Sequence, residues 1–299
     1  MDLPFTYQRD RLLSTLCTFG IGGPARYYVE VREVAVMQSL LLFCKEHALP
    51  FFILGKGSNC LFDDQGFNGV VIHNKIDFLE RPAPGLFRAG AGYSFSLLGV
   101  QSARDGWSGL EFASGIPASV GGAVFMNAGA NGAEVGNAVV SVEFVDENGA
   151  LHEYAREDLH FSYRTSDFQQ MAGAIVAATF ALTRSEAARK KQLEIIDYRV
   201  KTQPYGEKSA GCIFRNPSCA SAGALIDQAG LKTLSCGNAE VSAMHANFIV
   251  NKGQATARDV LQLIEWIKKA VFEKKGVQLE SEVRYIANIS EDRVGKIDD

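Results

Sequence analysis

Two glycine-rich loops contain residue types that could hold a phosphate group. Gly55, Gly57, Ser58 and Asn59 directly follow the apolar segment 51–54. Glycine amides and a serine hydroxyl donate hydrogen bonds to phosphate oxygens. The second loop offers the same donor types, at Gly115, Ser119, Gly121, Gly122 and Asn127. A strand-ending turn is the simpler interpretation of the first loop, and a tight crossover is the structural alternative for the second. Two such loops in one chain favour a ligand.

These loops do not match the common nucleotide-binding fingerprints. The pairs Gly55/Gly57 and Gly90/Gly92 both lack the third glycine of the dinucleotide motif, and there is no Walker phosphate loop. This disfavours a Rossmann domain.

Three further positions could take part in a reaction. Arg164 lies in an aromatic stretch and could present a permanent charge to a carboxylate or an oxyanion, or serve as a surface anchor. Cys212 lies beside the apolar residue Ile213, which favours a buried thiol that packs in the core. Glu282 alternates with Glu280 and Arg284 on an expected strand, so the three side chains would share one face. The ordinary interpretation of such a charged face is exposure to solvent.

The composition limits what the chain can be. Its length of 299 residues suggests two domains or one large one, and 47% hydrophobic residues are enough to fill a core. The net charge of −4 argues against a nucleic-acid-binding protein. The six cysteines and the histidines lack zinc-site spacing, so no metal is expected. The N-terminus does not resemble a signal peptide, and the longest apolar run (172–182) is shorter than a membrane span of ~20 residues. We therefore expect a soluble cytoplasmic protein.

Residue periodicity predicts an α+β fold. Strands are expected at 27–31, 51–54 and 69–72, with a helix between the first two, and alternating strands at 139–182 with an Asn148-Gly149 turn. A charged helix follows Ser185, and the main domain boundary is placed near 200, with subdomains of about 1–75 and 76–200 before it. The smaller domain, 201–299, should contain a helix at 221–229, a strand at 247–251, a helix capped by Thr256 and a last strand at 279–286 that returns to the first domain.

Taken in order, these segments resemble the UDP-N-acetylenolpyruvoylglucosamine reductase family, from Thr18-Phe19-Gly20 through to Glu282-Val283. The resemblance implies an FAD-binding domain of the vanillyl-alcohol-oxidase type, made of two α+β subdomains, and a smaller α+β substrate domain. FAD would be non-covalent, with NADPH as co-substrate and UDP-N-acetylglucosamine enolpyruvate as substrate in peptidoglycan synthesis. No nucleic acid, membrane insertion or obligate protein partner is implied.

The same resemblance assigns the site residues. FAD would contact both glycine loops. Arg164 and Glu282 would stabilise an enolate, and Cys212 would protonate it in place of the serine that the family usually has. A free thiol, with a pKa of about 8.5, is mostly protonated at neutral pH and can therefore donate. Asn216 and His245 would contact the nucleotide diphosphate, and Lys201 and Lys208 are both candidates for a clamping lysine.

Two departures and two alternatives accompany this interpretation. Ala118 stands where the family often has glycine, and the short segment between Arg164 and Cys212 resembles the compact subgroup without a large substrate-covering loop. The alternatives are another FAD enzyme on the same fold, such as a sugar or hydroxyacid oxidase, and a non-catalytic nucleotide-binding protein.

Overall fold

The computed structural model describes residues 2–288, which pack into two compact units. The first unit contains the residues before Arg9, together with Tyr28–Lys56 and Gly69–Arg199. The second contains Arg9–Tyr27, Gly57–Asn68 and residues 200–288. The chain therefore passes between the units several times, and the last passage falls at Arg199/Val200.

The helices and strands of residues 2–288 are numbered in chain order. Helices α1 to α6 are Val34–Glu46, Phe95–Arg104, Val120–Phe125, Ala188–Thr202, Ala222–Gln228 and Ala257–Lys275. Strands β1 to β21 are Arg11–Leu12, Pro24–Val31, Phe51–Leu54, Cys60–Phe62, Phe67–Asn74, Leu79–Glu80, Leu86–Gly90, Trp107–Ser108, Gly129–Ala130, Ala133–Glu134, Val139–Asp146, Leu151–Ala155, Phe161–Ser162, Thr165–Ser166, Gly173–Ala181, Thr183–Arg184, Lys208–Cys212, Ser235–Cys236, Ala239–Val241, Phe248–Asn251 and Arg284–Ile286.

The first unit is built on an antiparallel sheet of order β12-β11-β15-β7-β6. The predicted Asn148-Gly149 turn joins β11 to β12, where the Gly149 amide donates to the Asp146 carbonyl at 3.0 Å. In a second sheet of this unit, β3 lies parallel to β5, with Leu54 opposite His73. The early strand and helix predictions are confirmed, because α1 buries Met37, Leu41 and Cys44 as its periodicity indicated.

The second unit packs α5 and α6 with an antiparallel sheet of order β17-β20-β19-β18. The predicted cap of α6 is present, since Thr256 and Asp259 form a reciprocal capping box. The helix then buries an apolar stripe, and each fully buried side chain contributes about 1.5–3 kcal/mol of hydrophobic stabilisation. The stripe consists of Val260, Leu263, Ile264, Ile267 and Val271.

Two N-terminal segments belong to the second unit, although they lie within the predicted first domain. Phe19, Ile21 and Leu61 are almost fully buried in the same apolar cluster as α6, which explains why residues 9–27 and 57–68 pack there. Strand β21 also lies parallel to β4, with Arg284 opposite Cys60. The last strand therefore does pair with an N-terminal segment.

The last strand is shorter than predicted. Only Arg284–Ile286 forms a regular strand, whereas the expected one began at Leu279. The preceding residues run against 213–215 in an irregular way: Phe214 forms a single bridge with Ser281, and the Arg215 amide donates to the Glu280 carbonyl at 2.9 Å. The continuous alternation of Glu280, Glu282 and Arg284 was therefore a wrong prediction.

None of the helices between residues 2 and 288 is both long and apolar enough to cross a membrane.

Candidate active site

The structure brings two of the predicted glycine-loop segments together in the first unit. Gly55 follows β3, and a Cβ atom placed on it would lie 2.3 Å from Ser119 Oγ. Ser119 caps α3 and its Oγ accepts from the Gly122 amide at 3.3 Å, while Gly121 would place a Cβ 2.8 Å from that of Ala91. A side chain at 55 would displace the Ser119 hydroxyl, which caps α3.

Polar groups of the first unit lie in or next to these two loop segments along the chain. The Gly115 amide donates to Ser96 Oγ at 2.8 Å, and Lys56 Nζ lies 3.3 Å from Ser94 Oγ. Ser114 is completely buried, and within residues 2–288 its hydroxyl has no hydrogen-bond partner. A buried polar group without a partner is costly. An orphaned hydroxyl, a lysine and closely packed glycine loops fit an anionic ligand with several oxygens, such as a pyrophosphate.

His73 anchors the first glycine loop and was not predicted. Its ring forms a hydrogen bond with the Gly55 backbone, and its Nδ1 lies 2.7 Å from the Tyr28 hydroxyl. Burial lowers its pKa to about 4, so the ring is neutral at neutral pH. The signal that could have revealed it was strand register, because His73 lies opposite Leu54.

Arg164 occupies a strained position in a tight turn. Strands β13 and β14 pair antiparallel, and Tyr163 and Arg164 connect them. Arg164 has φ 57°, a left-handed conformation that costs a non-glycine residue roughly 1–3 kcal/mol. Its guanidinium carbon lies 4.9 Å from the centre of the Tyr163 ring, and its Nη1 would be 3.3 Å from a Cβ on Gly129. The half-buried guanidinium is thus packed against this hairpin and β9.

Two amide side chains hold this turn. Gln169 Nε2 donates to the Arg164 carbonyl at 3.0 Å and to the Phe125 carbonyl at 2.9 Å. Asn127 is completely buried, donates to the Ser162 carbonyl at 2.8 Å and accepts from the Gly136 amide at 2.9 Å. Gln169 belongs to no sequence motif and was missed. Asn127, predicted as a ligand donor, uses its side-chain nitrogen and oxygen within the protein.

The second unit contains the rest of the first glycine loop. The Gly57 carbonyl accepts from the Thr18 amide at 3.2 Å. Asn59 Nδ2 donates to the Glu282 carbonyl at 3.2 Å, and the Asn59 carbonyl accepts from the Arg284 amide at 3.0 Å. Asn59 thereby ties this loop to the segment that carries Glu282.

The structure also brings the segments of Cys212 and Glu282 together. The Glu282 amide donates to the carbonyl of Ile213, the residue after Cys212, at 2.7 Å. The register of β17 against β20 is irregular between Ser209 and Cys212, and Gly211 has φ 76° there. Such a bulge re-aims the next side chain, and here the left-handed conformation falls on a glycine, which adopts it readily. The Cys212 thiol is half-buried.

The predicted diphosphate contacts meet at the start of α5. Asn216 Oδ1 accepts from the Ala222 amide at 2.9 Å, and a Cβ on Gly223 would lie 3.2 Å from His245 Cε1. Burial lowers the pKa of His245 below its ordinary value. Lys208 lies on the same strand as Cys212, whereas Lys201 lies on α4.

The described part of the chain contains no cluster of His, Cys, Asp and Glu side chains suited to a metal ion.

Comparison with known proteins identifies two matching domains. Residues 203–286 match the C-terminal domain of UDP-N-acetylenolpyruvoylglucosamine reductase, and residues 25–155 match an FAD binding domain. The predicted α+β fold with an FAD-binding domain and a smaller second domain is therefore confirmed.

Curated relatives match nearly the whole chain. A UDP-N-acetylenolpyruvoylglucosamine reductase of Protochlamydia amoebophila is 62% identical over 286 residues, which is 96% of each chain. The protein of that name from Chlamydia trachomatis serovar A is 49% identical, covering 95% of this chain and 98% of its own. A crystal structure of the Thermus caldophilus reductase matches with TM-score 0.80 and 39% identity, covering 94% of this chain and 98% of that one.

Proposed function

The chain belongs to the UDP-N-acetylenolpyruvoylglucosamine reductase family, as an FAD-binding oxidoreductase of peptidoglycan synthesis, and from this premise we propose that it reduces UDP-N-acetylglucosamine enolpyruvate with NADPH, using Arg164, Cys212 and Glu282. The observation that carries the assignment of residues is the 2.7 Å bond from the Glu282 amide to the Ile213 carbonyl. This bond brings the residue after Cys212, the proposed proton donor, next to the backbone of Glu282.

The FAD pyrophosphate is assigned to the glycine loops. In the first unit Gly55, Gly115, Ser119, Gly121 and Gly122 supply amides and a hydroxyl, supported by the close approach of Gly55 to Ser119 and the orphaned Ser114 hydroxyl. In the second unit Gly57, Ser58 and Asn59 continue the first loop. Asn127 stays a predicted contact in this proposal, and its side chain also bonds to Ser162 and Gly136 inside the protein.

The reaction adds a hydride and a proton across the carbon–carbon double bond of the enolpyruvyl group. When bound, the flavin accepts a hydride from NADPH and supplies it to the terminal vinyl carbon. Negative charge then develops on the neighbouring carbon and spreads into the substrate carboxylate, giving an enolate. The remaining task of the protein is to stabilise this charge and deliver one proton.

Arg164 and Glu282 act on the developing charge. The Arg164 guanidinium is permanently charged and its backbone is fixed by the turn, so it can meet the enolate oxygens without reorganising. Glu282 polarises the same carboxyl group. Because the attraction between the guanidinium and the enolate strengthens as charge develops, it lowers the barrier more than it tightens substrate binding.

Cys212 donates the proton. Its S–H bond breaks as a C–H bond forms at the carbon bearing the carboxyl group, which leaves a thiolate that solvent then protonates. The family's usual serine is a far weaker acid, so a thiol is chemically competent for this step.

Asn216 and His245 are assigned to the nucleotide diphosphate, since the structure brings both to the start of α5. Either Lys201 or Lys208 is the clamping lysine. No nucleic acid or obligate protein partner enters the proposal, and the reaction is assigned to the cytoplasm.

The experiment that tests the proposal separates the two half-reactions in stopped flow. NADPH should bleach the flavin of the anaerobic enzyme, and the enolpyruvyl nucleotide should restore its colour. Rapid recovery with oxygen and none with the nucleotide would instead favour an oxidase, and a purified protein that neither contains nor takes up FAD would overturn the proposal.

A further inference from the structure

The turn carrying Arg164 depends on groups outside the turn. A two-residue hairpin connection with positive φ at its second position is normally occupied by glycine or asparagine. Here Arg164 holds φ 57° with a full side chain. Such a conformation persists only where the surroundings over-determine it.

We propose that Gln169 and Asn127 are positioning residues, which hold the Tyr163–Arg164 turn in its left-handed conformation and so fix the direction of the Arg164 side chain. The proposal rests on the proposed function of Arg164. It assigns both residues a role in the reaction that acts through Arg164.

Gln169 holds the second half of the turn. One side-chain nitrogen donates to the Arg164 carbonyl at 3.0 Å and to the Phe125 carbonyl at 2.9 Å. The Ser166 hydroxyl also donates to the Phe125 carbonyl, at 2.7 Å. The peptide after Arg164 is thus tied to the end of α3, and its orientation sets the direction of the Arg164 Cα–Cβ bond.

Asn127 holds the first half of the turn. Its nitrogen donates to the Ser162 carbonyl at 2.8 Å, two residues before Arg164, and its oxygen accepts from the Gly136 amide at 2.9 Å. Asn127 is completely buried and itself has φ 41°. Both halves of the turn are therefore tied to residues 125–127, the last residue of α3 and the two that follow it.

The test replaces Gln169 with its acidic isostere. In Gln169→Glu the donor becomes an oxygen facing two carbonyl oxygens, so both bonds are lost with little change of shape. Since a misplacement of about 1 Å can slow a reaction ~100-fold, we expect flavin reoxidation by the enolpyruvyl nucleotide to slow about 10–100-fold. Flavin reduction by NADPH should stay within about twofold, and kcat should change more than KM.

Two further variants make the test specific. Gln170→Glu adds the same charge at the neighbouring exposed position and should leave both half-reactions unchanged. Gln169→Met removes the donor without adding charge, and serves if Gln169→Glu fails to bind flavin. Normal substrate reduction in Gln169→Met or Gln169→Glu, with flavin bound, would overturn the proposal.

A double-mutant cycle with Arg164→Gly separates this proposal from the proposed function. Glycine accepts the left-handed conformation and removes the guanidinium. In that background Gln169→Glu should slow substrate reduction no further. An equal slowing in both backgrounds would overturn the positioning role, whereas normal substrate reduction in Arg164→Gly alone would overturn the proposed function.

Discussion

The turn of Arg164 and the bulge of Cys212 place a proposed reactive side chain on an irregular backbone in opposite ways. In the first unit the left-handed conformation falls on the reactive residue itself, Arg164, with φ 57°. In the second unit it falls on Gly211, with φ 76°, one residue before Cys212. Glycine adopts this conformation readily, whereas arginine does so at a cost.

This difference determines which neighbouring residues hold each reactive side chain in place. Arg164 needs the amide side chains of Gln169 and Asn127 to hold its turn, so single side-chain changes can release it. The Cys212 segment is held through the backbone bond between Glu282 and Ile213, and Gly211 absorbs the irregularity. We therefore expect the reaction to depend on the side chains that bond to the Arg164 turn. Near Cys212 we expect it to depend on the backbone freedom of Gly211.

Arg164→Gly should have the largest effect. It removes the charge that we propose stabilises the enolate, and loss of one such group costs about 10²–10³ in rate. Stopped-flow reoxidation by the enolpyruvyl nucleotide should slow by that factor, while NADPH reduction should not. Because glycine relieves the left-handed strain, the free energy of unfolding in urea should not fall by more than about 1 kcal/mol. A larger fall would mean that the lost contacts of the guanidinium outweigh the relief of strain.

Cys212→Ala should slow substrate reduction by about 10²-fold, the lower range for loss of a general acid. The variant should still take a hydride from NADPH at the wild-type rate. Cys212→Ser is the matched control and should retain appreciable activity. Equal losses in both half-reactions for Cys212→Ala would indicate a structural role instead.

Gly211→Ala tests the backbone side of the comparison. A Cβ on Gly211 meets nothing closer than the Ser58 carbonyl oxygen at 4.0 Å, so the substitution adds strain without a clash. We expect the free energy of unfolding to fall by about 1 kcal/mol and substrate reduction to slow about 10-fold, because the strain now re-aims Cys212. Gly253→Ala is a control, since it has open space and no left-handed φ. Wild-type rates in Gly211→Ala would contradict the role of the bulge.

His73 affects folding stability and not the reaction, through a pH dependence. Burial lowers the pKa of His73 from 6.5 to about 4, and the positive charge of Lys75 is the next largest cause. Arg32 also lowers this pKa, whereas Glu30 raises it. Above pH 6.5 the ring is neutral in folded and unfolded chains alike. Between pH 6.5 and 4 the unfolded chain binds a proton that the folded chain does not, so stability falls as the pH falls.

The size of this effect follows from the shift. At pH 5 it amounts to about 2 kcal/mol relative to pH 7.5. Urea unfolding at the two pH values should show this loss in the wild type and in His160→Gln, which changes an exposed histidine. In His73→Gln the loss should be smaller by about this amount, and His245, whose pKa burial also lowers, still contributes. The same pH dependence in His73→Gln would contradict the assignment.

The sequence predicted the elements and glycine loops that have local signals. Apolar periodicity predicted α1 and the early strands, Thr256 with Asp259 predicted the start of α6, and glycines next to Ser119 marked a loop that the structure brings to Gly55. These features are decided by residues close together in the chain.

The remaining features depend on contacts between distant residues. His73 reaches Gly55 only because β3 and β5 are adjacent, and Gln169 reaches Phe125 only through the hairpin of β13 and β14. The predicted last strand was too long, because the Glu282 amide donates to the Ile213 carbonyl and takes no part in a regular strand ladder. No local pattern encodes such pairings.

The most direct test of the central claim is anaerobic stopped flow of NADPH-reduced enzyme mixed with UDP-N-acetylglucosamine enolpyruvate, for the wild type and Arg164→Gly. The account predicts rapid return of the oxidised flavin spectrum in the wild type, with UDP-N-acetylmuramate as product, and a return about 10²–10³-fold slower in Arg164→Gly. Wild-type enzyme that stays reduced until oxygen is admitted, or two proteins that reoxidise at the same rate, would contradict it.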